Sequence, residues 1–331
     1  MQQVNAGSLD PHGAVWRFIL NGLKRRIRVA MLLVVDSKGS TPGKTGFKMA
    51  VASDDKLCGT IGGGAIEHDV VEDARALLRQ PRPQASVVLK VHQLEHPQTS
   101  GMICGGQQTV VIYPCRAKDQ LAAKSLLDYL EAGKPGVLRL SASGLSFDLG
   151  RQNDEEHCFV QQGTRWRYTE NVRLPDTLFI VGGGHVGLAL SRVMATLGFR
   201  IVVCDERPDV DTLADNIYAH EKRVVPFAKV GRAIPEGQRH YAVIMTPAHS
   251  ADEAVLRQLV RKRLRYLGLM ASARKARELL GKLRAEGCPE DLLKRVRSPV
   301  GLPISSHTPA EIAVSIAAEI IRVRNTGCGS A

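Results

Sequence analysis

Aromatic residues are scarce in this chain, at 5% of 331 positions, and they do not interleave with the basic residues as base-stacking platforms would. Nucleic acid is therefore not the expected partner, although the formal net charge is +12. No apolar run approaches the roughly 18 residues of a membrane span, so no membrane is expected. Met1–Pro11 lacks the basic patch and apolar stretch of a secretory leader, and a cytoplasmic location is expected. The seven cysteines (Cys58, Cys104, Cys115, Cys158, Cys204, Cys288, Cys328) form no CxxC pair, unlike a zinc module or a disulfide framework. They are expected to be reduced thiols.

What is present suffices for two cores: 44% of the residues are hydrophobic, in a chain longer than one average domain. The positive charge is concentrated, with 13 Lys/Arg against four acids between Arg257 and Arg297. That pattern suits a solvated helix face or a dock for something acidic.

Along the first half, Val29–Val35 reads as a strand, and 47–53 with 56–61 as a hairpin closed by Ser53, Asp54 and Asp55. Gly62, Gly63 and Gly64 then join a strand to a helix over 65–78. Strands at 86–91, 109–113 and 137–140 and a helix at 120–131 complete a mixed α+β half. The stretch 151–174 turns polar, and the junction falls near 171–176.

Beyond it, strands and helices alternate. Strands are predicted at 177–181, 200–204, 241–246 and 266–270, and helices at 185–197, 251–263, 274–285 and 309–324. Repeated βα units imply a parallel sheet with helices on both faces. Thr308, Pro309 and Glu311 give the last helix a capped start.

Three glycine-rich junctions carry the chemistry. Gly182-Gly-Gly184-His-Val-Gly187 follows an apolar strand and opens an amphipathic helix, as a dinucleotide fingerprint requires. Gly182 suits the tight turn, Gly184 the approach of a pyrophosphate and Gly187 helix-on-strand packing. Asp205, 18 residues after Gly187, stands where an acid would meet a ribose 2′-OH. Arg207 leaves NAD and NADP both open, and His185, at the helix start, suits a capping or packing role rather than general acid–base work. Thr60-Ile-Gly62-Gly63-Gly64 lacks the Lys-Ser/Thr of a P-loop, yet permits close backbone approach, with Glu67 and His68 on the first helical turn. In Gly101-Met-Ile-Cys104-Gly105-Gly106, flexible glycines flank a thiol that a soft metal or sulfur centre can reach. Cys58 is the weaker second choice. His249, Ser250 and Asp252 follow a strand whose end would line the ligand crevice, but Asp252 also serves as a helix-start acid.

Taken in order, five segments resemble the serial motifs of the XdhC/CoxI family. They are Gly39-Ser-Thr-Pro-Gly, Gly59-Thr-Ile-Gly-Gly-Gly, Met102-Ile-Cys-Gly-Gly, Val181-Gly-Gly-Gly-His-Val-Gly, and Ser298-Pro-Val-Gly-Leu with Thr308-Pro-Ala-Glu-Ile. The resemblance spans Lys38 to Arg324 and departs at Ala271, where the family pattern has glycine. It implies an α/β protein: an N-terminal α+β XdhC/CoxI domain over 1–172 and a C-terminal Rossmann-type, doubly wound parallel-sheet domain over 173–331. It further implies binding of a molybdopterin-type molybdenum cofactor and its delivery to an apo-molybdoenzyme of xanthine dehydrogenase type.

The implied contacts are Gly62, Gly63, Gly64 and Glu67, then Cys104, Gly105 and Gly106, with Cys104 as the metal-facing thiol. Gly182, Gly184, His185, Gly187 and Asp205 would hold the cofactor or a nucleotide such as NAD(P). A cysteine desulfurase is a further partner for such a role, and a homo-oligomer the expected assembly. The alternative is an NAD(P)-dependent oxidoreductase, for which no catalytic set is recognisable in the sequence.

Overall fold

A computed structural model describes residues 11–92, 106–132, 134–149, 155–172 and 174–326. The chain divides into two compact units, Pro11–Leu174 and one beginning at Pro175.

The first unit opens with helix α1 (Pro11–Lys24) and continues through β1 (Val29–Gly39), β2 (Lys48–Ala52), β3 (Leu57–Gly59), α2 (Gly64–Arg79), β4 (Ser86–His92) and β5 (Gly106–Pro114). The strands form an antiparallel sheet in the order β3-β2-β1-β5-β4. Strand β1 is central and buried on both faces, which explains its unbroken apolar run. Ala30, Leu32 and Val34 pack towards Val70, Ala74 and Leu77 of α2. Val29, Met31, Leu33 and Val35 join the opposite core with Trp16 and Ile19 of α1.

That second core also takes in α3 (Asp119–Glu131) and a smaller antiparallel sheet of β6 (Gly136–Ser141), β7 (Gly144–Asp148), β8 (His157–Gln162) and β9 (Arg165–Val172), ordered β7-β6-β9-β8. The predicted polar stretch is thus partly strand. Trp166 and Tyr168 are buried and alternate with exposed Arg165 and Arg167 along the first half of β9. Sequence reasoning also missed α1, although Val15, Trp16, Ile19, Leu20 and Leu23 trace one helical stripe.

The second unit runs β10 (Thr177–Val181), α4 (His185–Thr196), β11 (Arg200–Asp205), α5 (Asp211–Ala214), β12 (Glu221–Val224), α6 (Val230–Ala233) and β13 (Gly237–Ile244). It continues with α7 (His249–Leu259), β14 (Leu264–Leu269), α8 (Ala273–Ala285), α9 (Glu290–Lys294), β15 (Val296–Arg297) and α10 (Pro309–Asn325). All six strands are parallel, in the order β12-β11-β10-β13-β14-β15. Helices α4 and α10 cover one face through Leu190, Met194, Ile316 and Ile320. Helices α7 and α8 cover the other through Val255, Leu259, Leu279 and Leu283.

The Rossmann-type α/β expectation therefore holds. Helix α10 starts at the capping box read from sequence: the Glu311 N–H donates to Thr308 Oγ1 while the Glu311 carboxylate accepts from the Thr308 N–H. Two boundaries differ. Strand β13 ends at Ile244, leaving Thr246 in a loop, and α7 begins at His249. Strand order reverses between β10 and β13, so the crevice at their carboxyl ends is where such sheets accept ligands.

Candidate functional site

In the first unit, two motif loops and the first residue of β5 meet at one end of the five-stranded sheet. A Cβ added to Gly43 would strike the carbonyl of Ile61, and one added to Gly62 would strike Gly43. At Gly106, the first residue of β5, an added Cβ would fall 2.6 Å from the Ser40 carbonyl and 2.7 Å from Thr41 Cγ2. The close approach of backbone to backbone is what the glycines supply.

Beneath them lies Gln108, 2% exposed, whose Nε2 donates to the Ile61 carbonyl at 3.4 Å. Sequence reasoning missed this residue, since a glutamine in a strand carries no signal of burial. Cys104 and Gly105 lie outside the described residues.

The loop before α2 is closed by its own acid. Glu67 Oε2 accepts from the Thr60 hydroxyl at 2.6 Å, the Ile61 N–H at 2.8 Å and the Gly63 N–H at 3.0 Å. Burial works to raise the Glu67 pKa, but these donors and the Gly62 N–H outweigh it and hold the carboxyl below its usual range. The expected anion cradle at Gly62–Gly64 thus already contains an anion. Its physical effect is to fix the turn, while Gly63, where an added Cβ meets nothing within 4 Å, leaves the surface open.

In the second unit, the glycine turn sits between two strand ends. The Gly182 N–H donates to the Cys204 carbonyl of β11 at 2.8 Å, and the Met245 N–H, just past β13, donates to the Val181 carbonyl at 2.9 Å. Gly182 has φ of +122° and would drive a Cβ onto the Met245 carbonyl, so it is required by geometry. Gly187 is equally confined against the carbonyl of Gly182. Gly184, in contrast, has nothing within 4 Å of an added Cβ, and as the N-cap it makes no side-chain cap. The first N–H groups of α4 have no partners within the helix, and exposed His185 stands beside them.

Asp205 ends β11 beside this turn, but its carboxylate is wholly buried. Oδ2 accepts from the Gly183 N–H at 2.7 Å and from Arg207 Nη2 at 2.9 Å, and Oδ1 from the Arg207 N–H and Nε, each at 3.0 Å. Burial pushes its pKa up, and the Arg207 and Gly183 donors more than reverse this, leaving it below the usual carboxylate range. Four hydrogen bonds fill the acceptor sites of a carboxylate. A ribose diol would have to displace the chain's own donors to reach it.

Across the turn, Asp252 is 1% exposed. Oδ1 accepts from the Thr246 N–H at 3.1 Å and the Thr246 hydroxyl at 2.6 Å, and Oδ2 from Lys275 Nζ at 2.7 Å. Asp252 stands in the first turn of α7, as the sequence reading had it, and is a buried anchor as well. Lys275, which that reading did not single out, is its partner. His249 opens the same helix, with Nε2 3.6 Å from Glu278.

Among the described residues, no group of three or more His, Cys, Asp or Glu side chains is placed to hold a metal ion, and no helix is long and apolar enough to cross a membrane. Cys58, Cys115, Cys158, Cys204 and Cys288 are free thiols. Burial raises the pKa of Cys58 and Cys115 and pushes Cys204 up to about 11, which disfavours the reactive thiolate at all three.

Residues 178–320 match the XdhC Rossmann domain family, and residues 23–91 match the XdhC and CoxI family. The Escherichia coli (strain K12) protein named uncharacterized protein YqeB is 27% identical over 308 residues, 91% of this chain. The chain spans only 44% of that relative's length. A Bacillus subtilis (strain 168) protein named as a probable xanthine dehydrogenase subunit is 24% identical over 91% of this chain and 95% of its own. The molybdenum cofactor insertion chaperone PaoD of Escherichia coli (strain K12) is 23% identical over 95% of this chain and 89% of its own. A crystal structure from Bacillus halodurans, described as a xanthine dehydrogenase, superposes with a TM-score of 0.75 at 26% identity, covering 94% of this chain and 96% of that one.

Proposed function

From the XdhC and CoxI family match in the first unit and the XdhC Rossmann domain match in the second, we propose that the chain binds a molybdenum cofactor as cargo and delivers it to an apo-molybdoenzyme of xanthine dehydrogenase type in the cytoplasm. The observation that carries this reading is likeness along nearly the whole chain, through both units, to a protein named as a molybdenum cofactor insertion chaperone.

The geometry suits anionic cargo. The start of α4 is unobstructed at Gly184, and helix N-termini favour phosphate groups. Cys104, between glycines, supplies the soft ligand that a metal–sulfur centre prefers. The open Gly63 gives a bulky heterocycle room. In this role a cysteine desulfurase would supply sulfur to the cargo, and a homo-oligomer is the assembly in which delivery takes place.

The test is anaerobic purification from a molybdenum-replete host, followed by measurement of molybdenum and of oxidised pterin fluorescence. Stoichiometric molybdenum and pterin are expected. A protein devoid of both that turns over a small substrate with NAD(P)H production, at about 1 per second or more, would overturn the proposal.

A further inference from the structure

The positive charge concentrated over 257–297 suits a solvated helix face or a dock for something acidic, and the structure divides it between the two. Along α7 and α8 the charge is largely neutralised within the chain. Arg257 pairs with Glu253 and Glu286, Lys275 with Asp252, Lys282 with Glu253 and Glu278, and Arg284 with Glu290. Lys262, Arg265, Arg295 and Arg297 behave differently. None of them forms an ion pair among the described residues, and all four line one cavity of about 120 Å³.

The strand pattern creates this cavity. Strand β15 pairs only with Leu267 and Gly268 of β14, so the outer edge of β14 at Leu264–Tyr266 has no strand beside it. Arg295 reaches into the gap, where its Nη2 donates to the Leu264 carbonyl at 2.8 Å and the Lys262 carbonyl at 3.5 Å. Arg265 Nη2 donates to the Val323 carbonyl in the last turn of α10 at 3.1 Å. Carbonyl oxygens thus orient both guanidinium groups and cancel no charge. The place is the amino end of β14, the opposite end of the sheet from the crevice after β10 and β13.

No carboxylate lines the cavity. Glu319, in contact with the lining residue Tyr266, is buried and committed: it accepts from the Tyr266 hydroxyl at 2.6 Å and the Gly301 N–H at 2.9 Å, and pairs with Arg322. Four like charges gathered around one space repel each other, and an anion among them relieves that repulsion.

Size selects the kind of anion. The cavity is well short of the roughly 300–1,000 Å³ that encloses a small-molecule ligand, yet far above the roughly 10–15 Å³ needed by one water. It has room for a single anionic group. Exposed Arg261, Arg263 and Lys294 are chain neighbours of the lining residues and extend the positive field beyond it. One enclosed anion with further acid around it is the pattern of an acidic stretch of polypeptide.

We propose that this face docks an acidic segment of a partner protein, one of whose Asp or Glu carboxylates enters the cavity among Lys262, Arg265, Arg295 and Arg297. Guanidinium forks match a carboxylate in two-point geometry, and the flanking acids meet the exposed cations. The dock stands whether or not the chain carries a molybdenum cofactor.

The probe is a fluorescein-labelled oligoglutamate peptide, titrated with the full chain at low ionic strength and followed by fluorescence anisotropy. Lys262→Met/Arg297→Met removes two lining cations that carry no hydrogen bond of the fold, and should weaken binding about tenfold or more. Lys282→Met/Arg284→Met removes the same charge from paired surface sites of the same unit, and should change binding by less than about twofold. Both variants should melt near wild type. Equal losses in the two variants would reduce the effect to net charge and overturn the dock, as would no binding of the peptide by wild type. Inorganic phosphate bound by wild type and lost in Lys262→Met/Arg297→Met, without any binding of the peptide, would overturn it in favour of a small-oxyanion site.

Discussion

Gly182 and Gly184 lie two residues apart in one motif, and the structure gives them opposite reasons for being glycine. Gly184 has φ of −72° and ψ of −170°, an extended conformation that any residue adopts, and a Cβ there meets no atom within 4 Å. Gly184→Val should therefore change folding stability by no more than about 0.5 kcal/mol. Gly182, with φ of +122° and the Met245 carbonyl in the path of a Cβ, combines backbone strain of about 1–3 kcal/mol with overpacking of similar size. Gly182→Ala should therefore cost about 3 kcal/mol or more.

Function should divide the other way. Gly184→Val places a branched side chain over the first N–H groups of α4, so a well-folded protein should bind pyrophosphate at least about tenfold more weakly. Thermal denaturation and calorimetric titration of the two variants read both quantities. Equal destabilisation by the two substitutions would refute the packing argument, and undiminished binding by Gly184→Val would refute the assignment of the helix start as the phosphate seat.

Cys104→Ser should lower molybdenum retention after gel filtration while leaving the melting temperature near wild type, and Cys115→Ser, at a half-buried thiol whose pKa burial raises, should retain the metal; equal retention by both would remove the thiol from the site. Asp252→Ala strips Thr246 and Lys275 of their acceptor and should cost about 2–3 kcal/mol in denaturant unfolding, below the 3–5 kcal/mol of a fully buried pair because Lys275 is 28% exposed; a loss under 0.5 kcal/mol would show that the anchor is not formed. The depressed pKa of Asp205 contributes stability that is fully present above the unfolded value of about 3.9 and is lost as the pH falls through the folded value. Asp205→Asn should flatten that acid limb, and an unchanged pH profile of melting would count against the Asp205–Arg207 pairing.

The Rossmann-type unit was legible because its signals are local. Thr177–Val181 is apolar, a glycine turn follows, and Thr308 with Glu311 marks the start of α10. The antiparallel unit was harder to read. In β9, Trp166 and Tyr168 alternate with arginines whose charge hides the strand from a hydrophobicity count. At the site, residue type and position were legible, but commitments were not. Glu67 and Asp205 stand where the motifs put them, yet each spends its carboxylate on the chain's own donors. Gln108 and Lys275 depend on contacts 47 and 23 residues distant in sequence, and no local pattern encodes such a partner.

Transfer is the central claim, and it is tested most directly by anaerobically loading the protein with molybdenum cofactor, removing free cofactor by gel filtration, and adding an apo-molybdoenzyme of xanthine dehydrogenase type. Activation of the apo-enzyme, with equivalent loss of molybdenum from the carrier fraction, is expected. Molybdenum that stays with the carrier, or an apo-enzyme activated no better than by the same amount of free cofactor, would contradict the account.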